Sequence, residues 1–127
     1  MKPEIFIGMA IKAWDTQISR ADKFFNSLHE PAFLNEVAPG RNRVVYLLGH
    51  LIAVNDGMIR LFSLGERAHA DLDDAFVKNP DRSDITIPDI ATLRRYWKTS
   101  NQQLSSFFAS MTPEEWFGRH TAMTDED

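Results

Sequence analysis

The stretch Arg43-Val44-Val45-Tyr46-Leu47-Leu48-Gly49-His50-Leu51 decides how this chain folds. Its apolar pattern runs on, so that Val44, Leu47, Leu51, Val54, Met58 and Leu61 recur at steps of three and four, widened by Leu48 and Phe62. That spacing is the period of an α-helix with a buried side. Asn42, after the turn-like Pro39-Gly40, is placed to cap its start, and Gly65 to stop it.

The same period extends outward in both directions. The prolines Pro3, Pro31, Pro39, Pro80, Pro88 and Pro113 leave 4–30, 40–79 and 89–112 free of them, and those are the stretches where helices can run. Upstream, Ile7, Ile11, Trp14, Ile18, Ala21, Phe25 and Leu28 predict a helix over about 4–28 that ends before Pro31. Downstream, Ile90, Leu93, Trp97, Ser100, Leu104, Phe107 and Met111 predict a third, opened by Pro88 or Asp89. Thr112-Pro113-Glu114-Glu115 reads as a capping box ahead of a short helix through Trp116 and Phe117, ending near Gly118. The polar connection 66–88 has room for a turn of helix around Asp71 to Phe76, while Ile85-Thr86-Ile87 is too short to argue a sheet. The expected architecture is all-α: one domain over 1–127, an up-down bundle of four-helix type in which three long helices are visible. Three seams of this length call for a fourth, and the acidic end Thr124-Asp125-Glu126-Asp127 carries no apolar period.

Composition narrows the function. In 127 residues, 14 Lys and Arg stand against 18 Asp and Glu, a net charge of −4 with no basic block. A nucleic-acid partner held by phosphate neutralisation is not expected. The absence of cysteine removes disulfides, thiolate metal sites and a catalytic thiol. No run of eighteen consecutive apolar residues occurs, and Glu4, Lys12, Asp15 and Arg20 interrupt the first twenty residues. No membrane partner is expected, and a cytoplasmic setting is the default. There is no Gly-rich phosphate loop, no G-x-S-x-G and no H-E-x-x-H; Asp71, Asp73 and Asp74 lack the glycine turn and final Glu of a calcium loop.

Four imidazoles remain. On the phase set by Leu47, Leu51, Val54 and Met58, His50 falls about 60° from the centre of the buried stripe. A histidine there either packs its ring and makes one hydrogen bond, or turns a nitrogen toward a ligand. His29 sits at a helix end, His69 in the polar connection and His120 outside any clear helix. No two histidines are spaced i, i+3 or i, i+4, and one imidazole cannot hold zinc against water.

The order of these features resembles a known family. A Trp early in a long first helix (Trp14), a Pro-Gly turn, the run Leu47-Leu48-Gly49-His50-Leu51, a third helix with Leu93 and Trp97, and the segment Met111-Thr112-Pro113-Glu114-Glu115-Trp116 are similar to the DinB/YfiT-like superfamily over about residues 10 to 118. The resemblance implies a four-helix bundle in which His50 is one of three histidine ligands to a divalent metal, zinc or nickel. It implies an activity with a low-molecular-weight thiol and a small-molecule substrate, as a transferase, isomerase or hydrolase, and a homodimer. The family's other two ligands form an H-x-x-x-H pair on its last helix, which this sequence lacks: four residues after His120 stands Thr124. A longer natural chain, a second copy covering the open side and loss of the metal site all fit that absence. So do two readings without metal: a helical bundle acting by dimerisation or protein binding, and a small-molecule binder using the inter-helix cleft.

Overall fold

Trp97 on one helix donates its indole N–H to Asp22 on another at 3.0 Å, while Trp14 and Phe108 meet edge to face at 5.2 Å further along. Those two contacts run in opposite chain directions, so α1 (Pro3–Asn26) lies antiparallel to α4 (Ile90–Ser110). Between α4 and α2 (Val44–Leu61) the order is reversed: Asn55 donates to Asn101 at 2.8 Å, and Ile59 packs with Leu104 and Phe108. These two helices are parallel, and the connection between them carries the chain back along the bundle. Among the described residues two single-turn helices join them, α3 (Asp73–Phe76) and α5 (Pro113–Trp116), with 3₁₀ turns at Glu30–Leu34 and Ala70–Leu72. This computed structural model describes residues 2–62 and 64–116; the expected helix end near Gly118 and His120 lie outside them. Among the described residues no strand forms, and Glu36 and Arg43 make one isolated antiparallel bridge.

The long helices fall where the apolar period puts them. On α4 the buried residues are Leu93, Trp97, Ser100, Asn101, Leu104 and Phe108, and the Asp89 side chain caps the start by accepting from the Thr92 N–H at 2.8 Å. The Thr112–Glu115 capping box closes in both directions, at 3.0 and 3.2 Å. The main core gathers Phe25, Phe33, Leu48, Ile52, Phe76, Leu93 and Trp97, each withdrawn from water to 3 % exposure or less. Each such side chain contributes about 1.5–3 kcal/mol by its burial.

The phase of α2 differs from expectation. Its buried residues are Val44, Val45, Leu48, Gly49, Ile52, Ala53, Asn55, Asp56 and Ile59, whereas Leu47, Leu51 and Met58 are half-buried and Val54 is 44 % exposed. The helix is apolar on two sides, so its period alone could not choose the one that meets α4. This also explains why α2, at mean hydropathy 1.3 over eighteen residues, has the length and apolarity of a membrane-crossing helix although half of it is buried inside the fold. Its start differs too. Asn42 is not the cap; Arg43 occupies that position, and the Val44 N–H is satisfied by the carbonyl of Asn35 at 2.9 Å.

The polar connection is tied down by one buried carboxylate. Asp56 is fully buried and accepts from the Arg67 guanidinium at 2.8 Å and from the backbone N–H groups of Ala68 and His69 at 3.0 and 3.1 Å. Arg67 also forks onto Asp73 at 2.6 and 2.8 Å. The paired guanidinium holds the Asp73 carboxyl below its usual range, against the opposing effect of burial. This network fixes α3 against the side of α2, and α3 is what reaches the histidine.

Candidate functional site

Gly49 is buried because the ring of Phe76 lies over it: a Cβ at this position would overlap the ring edge. That close approach brings the Phe76 carbonyl oxygen to 2.7 Å from Nδ1 of His50. A carbonyl can only accept, so Nδ1 carries the proton. In the neutral ring Nε2 is then the nitrogen with a free lone pair, the arrangement that prepares an imidazole as a ligand or base. The Tyr46 ring lies nearly parallel to His50, at 10° and 6.3 Å between centroids, and its hydroxyl is occupied by donation to the Asn79 carbonyl at 2.7 Å. His50 thus makes the single hydrogen bond of a half-buried histidine, and the same bond selects the tautomer that a ligand needs.

The side of α2 that carries His50 is the one turned away from α4. It opens on a cleft of about 570 Å³ lined by Val37, Arg41, Asn42, Tyr46, Leu47 and His50. A larger groove of about 630 Å³ runs between α1 and α4, but among the described residues no imidazole lines it. The wall opposite His50 is a tight loop. Arg41 N–H donates to the Ala38 carbonyl at 2.9 Å, with Pro39 and Gly40 (φ +76°) at the centre of a type II turn, and Val37 N–H donates to the Asn42 carbonyl at 2.9 Å. Arg43, next in the chain, is clamped by Asp81, which accepts from its backbone N–H at 2.7 Å and from its guanidinium at 2.9 Å. Burial pushes the Asp81 carboxyl up, but the Arg43 contacts outweigh it and hold it below the ordinary value.

The other candidates do not converge on this cleft. His29 is exposed just past the end of α1, and His69 is half-buried with its ring stacked on Tyr96 at 4.0 Å. Among the described residues no group of three or more His, Asp or Glu gathers in a way that could hold a metal ion. Asp73, one of the acidic run, is engaged by Arg67, and Asp74 lies 3.8 Å from Lys78. The sequence singled out His50 as the candidate and gave no role to Gly49, the Phe76 carbonyl or Arg41. Of these only Gly49 left a signal, since a glycine inside a helix costs about 1 kcal/mol relative to alanine and invites a steric reason.

The profile of the DinB superfamily matches residues 13–126, nearly the whole chain. The protein belongs to the DinB superfamily. No curated protein matches it.

Proposed function

We propose that the protein is a divalent-metal-dependent DinB enzyme in which Nε2 of His50 is one metal ligand. The observation that carries this reading is the 2.7 Å bond from Nδ1 to the Phe76 carbonyl, because it leaves Nε2 free at the wall of an open cleft. The donor chemistry fits one position of a zinc or nickel site and no more. A catalytic site needs about three protein ligands, so the others come from outside the described residues or from a second copy. A divalent ion bound there supplies positive charge that lowers the pKa of a thiol and favours its thiolate. The chain's own part is to fix the His50 tautomer and to shape the cleft with Tyr46 and Leu47. In a chain without cysteine the nucleophile fits a low-molecular-weight thiol, acting on a small electrophile in the cytoplasm. Metal analysis of the purified full chain tests this. The expected result is a divalent ion that is lost in His50→Ala and retained in His69→Ala. Equal content in wild type and His50→Ala, or no ion in either, overturns it.

A second reading, self-association as a homodimer, is favoured by the outer side of α2, where Leu47, Leu51 and Met58 are half-buried around exposed Val54. Sedimentation of wild type against Val54→Glu distinguishes it. A dimer that the substitution breaks supports this reading, and a monomer in both cases removes it.

A further inference from the structure

The polar equipment of the His50 cleft is one-sided in charge. Among the described residues that line it only Arg41 is permanently charged, and among the described residues its guanidinium has no carboxylate partner. The nearest acid in the chain, Glu36, is already engaged: one oxygen accepts from the Gly40 N–H at 3.3 Å and the other meets Arg82 at 3.4 Å. Asn42 adds an uncommitted side-chain amide beside it, whereas the Tyr46 hydroxyl is spent on Asn79. The rest of the lining, Val37 and Leu47 with the faces of Tyr46 and His50, is apolar or aromatic.

The loop that presents Arg41 is built to hold position. Its type II turn sets Arg41 at the last turn position, the Val37–Asn42 bond closes the loop, and the Arg43–Asp81 clamp anchors its far end. An unpaired guanidinium on a fixed loop, over an apolar cleft, matches a planar anion with an apolar body, because its fork of N–H donors fits two carboxylate oxygens.

We propose that Arg41 is a specificity-determining residue of this cleft and that the molecule bound beside His50 is a small organic carboxylate with an apolar body. This rests on the cleft being the functional site, but it does not depend on the metal. The test titrates the isotope-labelled full chain with hexanoate and with hexanamide, which has the same shape and no charge, following the amide signals of Val37, Leu47 and His50. Hexanoate is expected to bind about tenfold more tightly than hexanamide, the size of a single charge-assisted contact. Arg41→Gln removes that preference, so that hexanoate and hexanamide bind equally. Arg41→Lys, which keeps the charge and loses the fork, retains part of it. His50→Ala keeps the preference even where it abolishes metal content, so failure of the metal reading and failure of this one are separable. Equal affinity for the two probes, an unchanged preference in Arg41→Gln, or signal shifts confined to the groove near Arg94 and Lys98 overturns the proposal.

Discussion

The Phe76 ring occupies the space that any side chain at Gly49 would need, and Phe76 also holds His50 through its carbonyl oxygen. One residue of α3 therefore reads two neighbours on α2, the first by shape and the second by hydrogen bonding. Gly49→Ala forces the ring outward, and overpacking of this kind costs about 1–3 kcal/mol. Chemical denaturation should register that loss. Nitrogen NMR of the His50 ring should show the protonated Nδ1 form giving way to a mixture of tautomers. A Gly49→Ala protein of unchanged stability and tautomer would show that the ring moves freely and positions nothing.

Trp97 combines two roles on α4. It is 3 % exposed, packs edge to face on Phe25 at 5.3 Å, and donates to Asp22 across the α1–α4 contact. Trp97→Ala should cost about 3–5 kcal/mol through the cavity it leaves. Trp97→Phe retains most of the volume and loses the hydrogen bond, for about 1 kcal/mol. Equilibrium unfolding in denaturant separates the two; a loss below about 1 kcal/mol for the alanine variant contradicts the packing described.

How much of this was legible in the sequence depends on how one-sided each helix is. In α4, Leu93, Trp97 and Leu104 line one side and Arg95, Lys98 and Gln102 the other, so its phase could be read directly. In α2, Leu47 and Leu51 make as good a row as Leu48 and Ile52, and only the packing of α4 and α3 separates them. His50 was visible as a candidate, but on the wrong reference phase: it lies nearly opposite the row Leu48, Ile52, Asn55 and Ile59 that meets α4. Its partner was not visible at all, because a backbone carbonyl carries no residue identity. The buried Asp56 was hidden for a related reason. Its charge is compensated by Arg67 and two backbone N–H groups from an irregular loop whose path no periodicity describes.

Asp56 is also the residue whose loss should do the most damage outside the apolar core. Asp56→Ala strands two loop N–H groups and removes one of the two carboxylates that neutralise Arg67, and breaking a buried pair in this way costs about 3–5 kcal/mol. The effect should reach His50, since the network holds α3. Hydrogen exchange is expected to speed up across residues 66–76 before it does in α4. Protection lost uniformly through the molecule would instead mean that the loop and the bundle unfold as one unit.

Acid should loosen the Arg67–Asp73 pair of this network and, separately, the Arg43–Asp81 clamp. Arg67 holds the folded Asp73 carboxyl below its ordinary value, and Arg43 does the same for Asp81 against the opposing pull of burial. A depressed folded pKa means that the unfolded chain takes up the proton first as pH falls. The stabilisation from both groups is therefore complete above the unfolded carboxylate value of about 3.9 and drains away below it, down through the lower folded values. Stability measured by urea denaturation should accordingly be level with respect to these two groups from neutrality to about pH 5 and fall steeply below about pH 4. In Asp73→Asn the neutral-pH stability drops and the acid slope becomes shallower, because one of the titrating groups is gone. Asp81→Asn should do likewise and should also loosen the Arg43 clamp that anchors the loop bearing Arg41. If both variants keep the full acid slope of the wild type, the proton uptake belongs to other carboxylates and the two ion pairs are not what acid breaks.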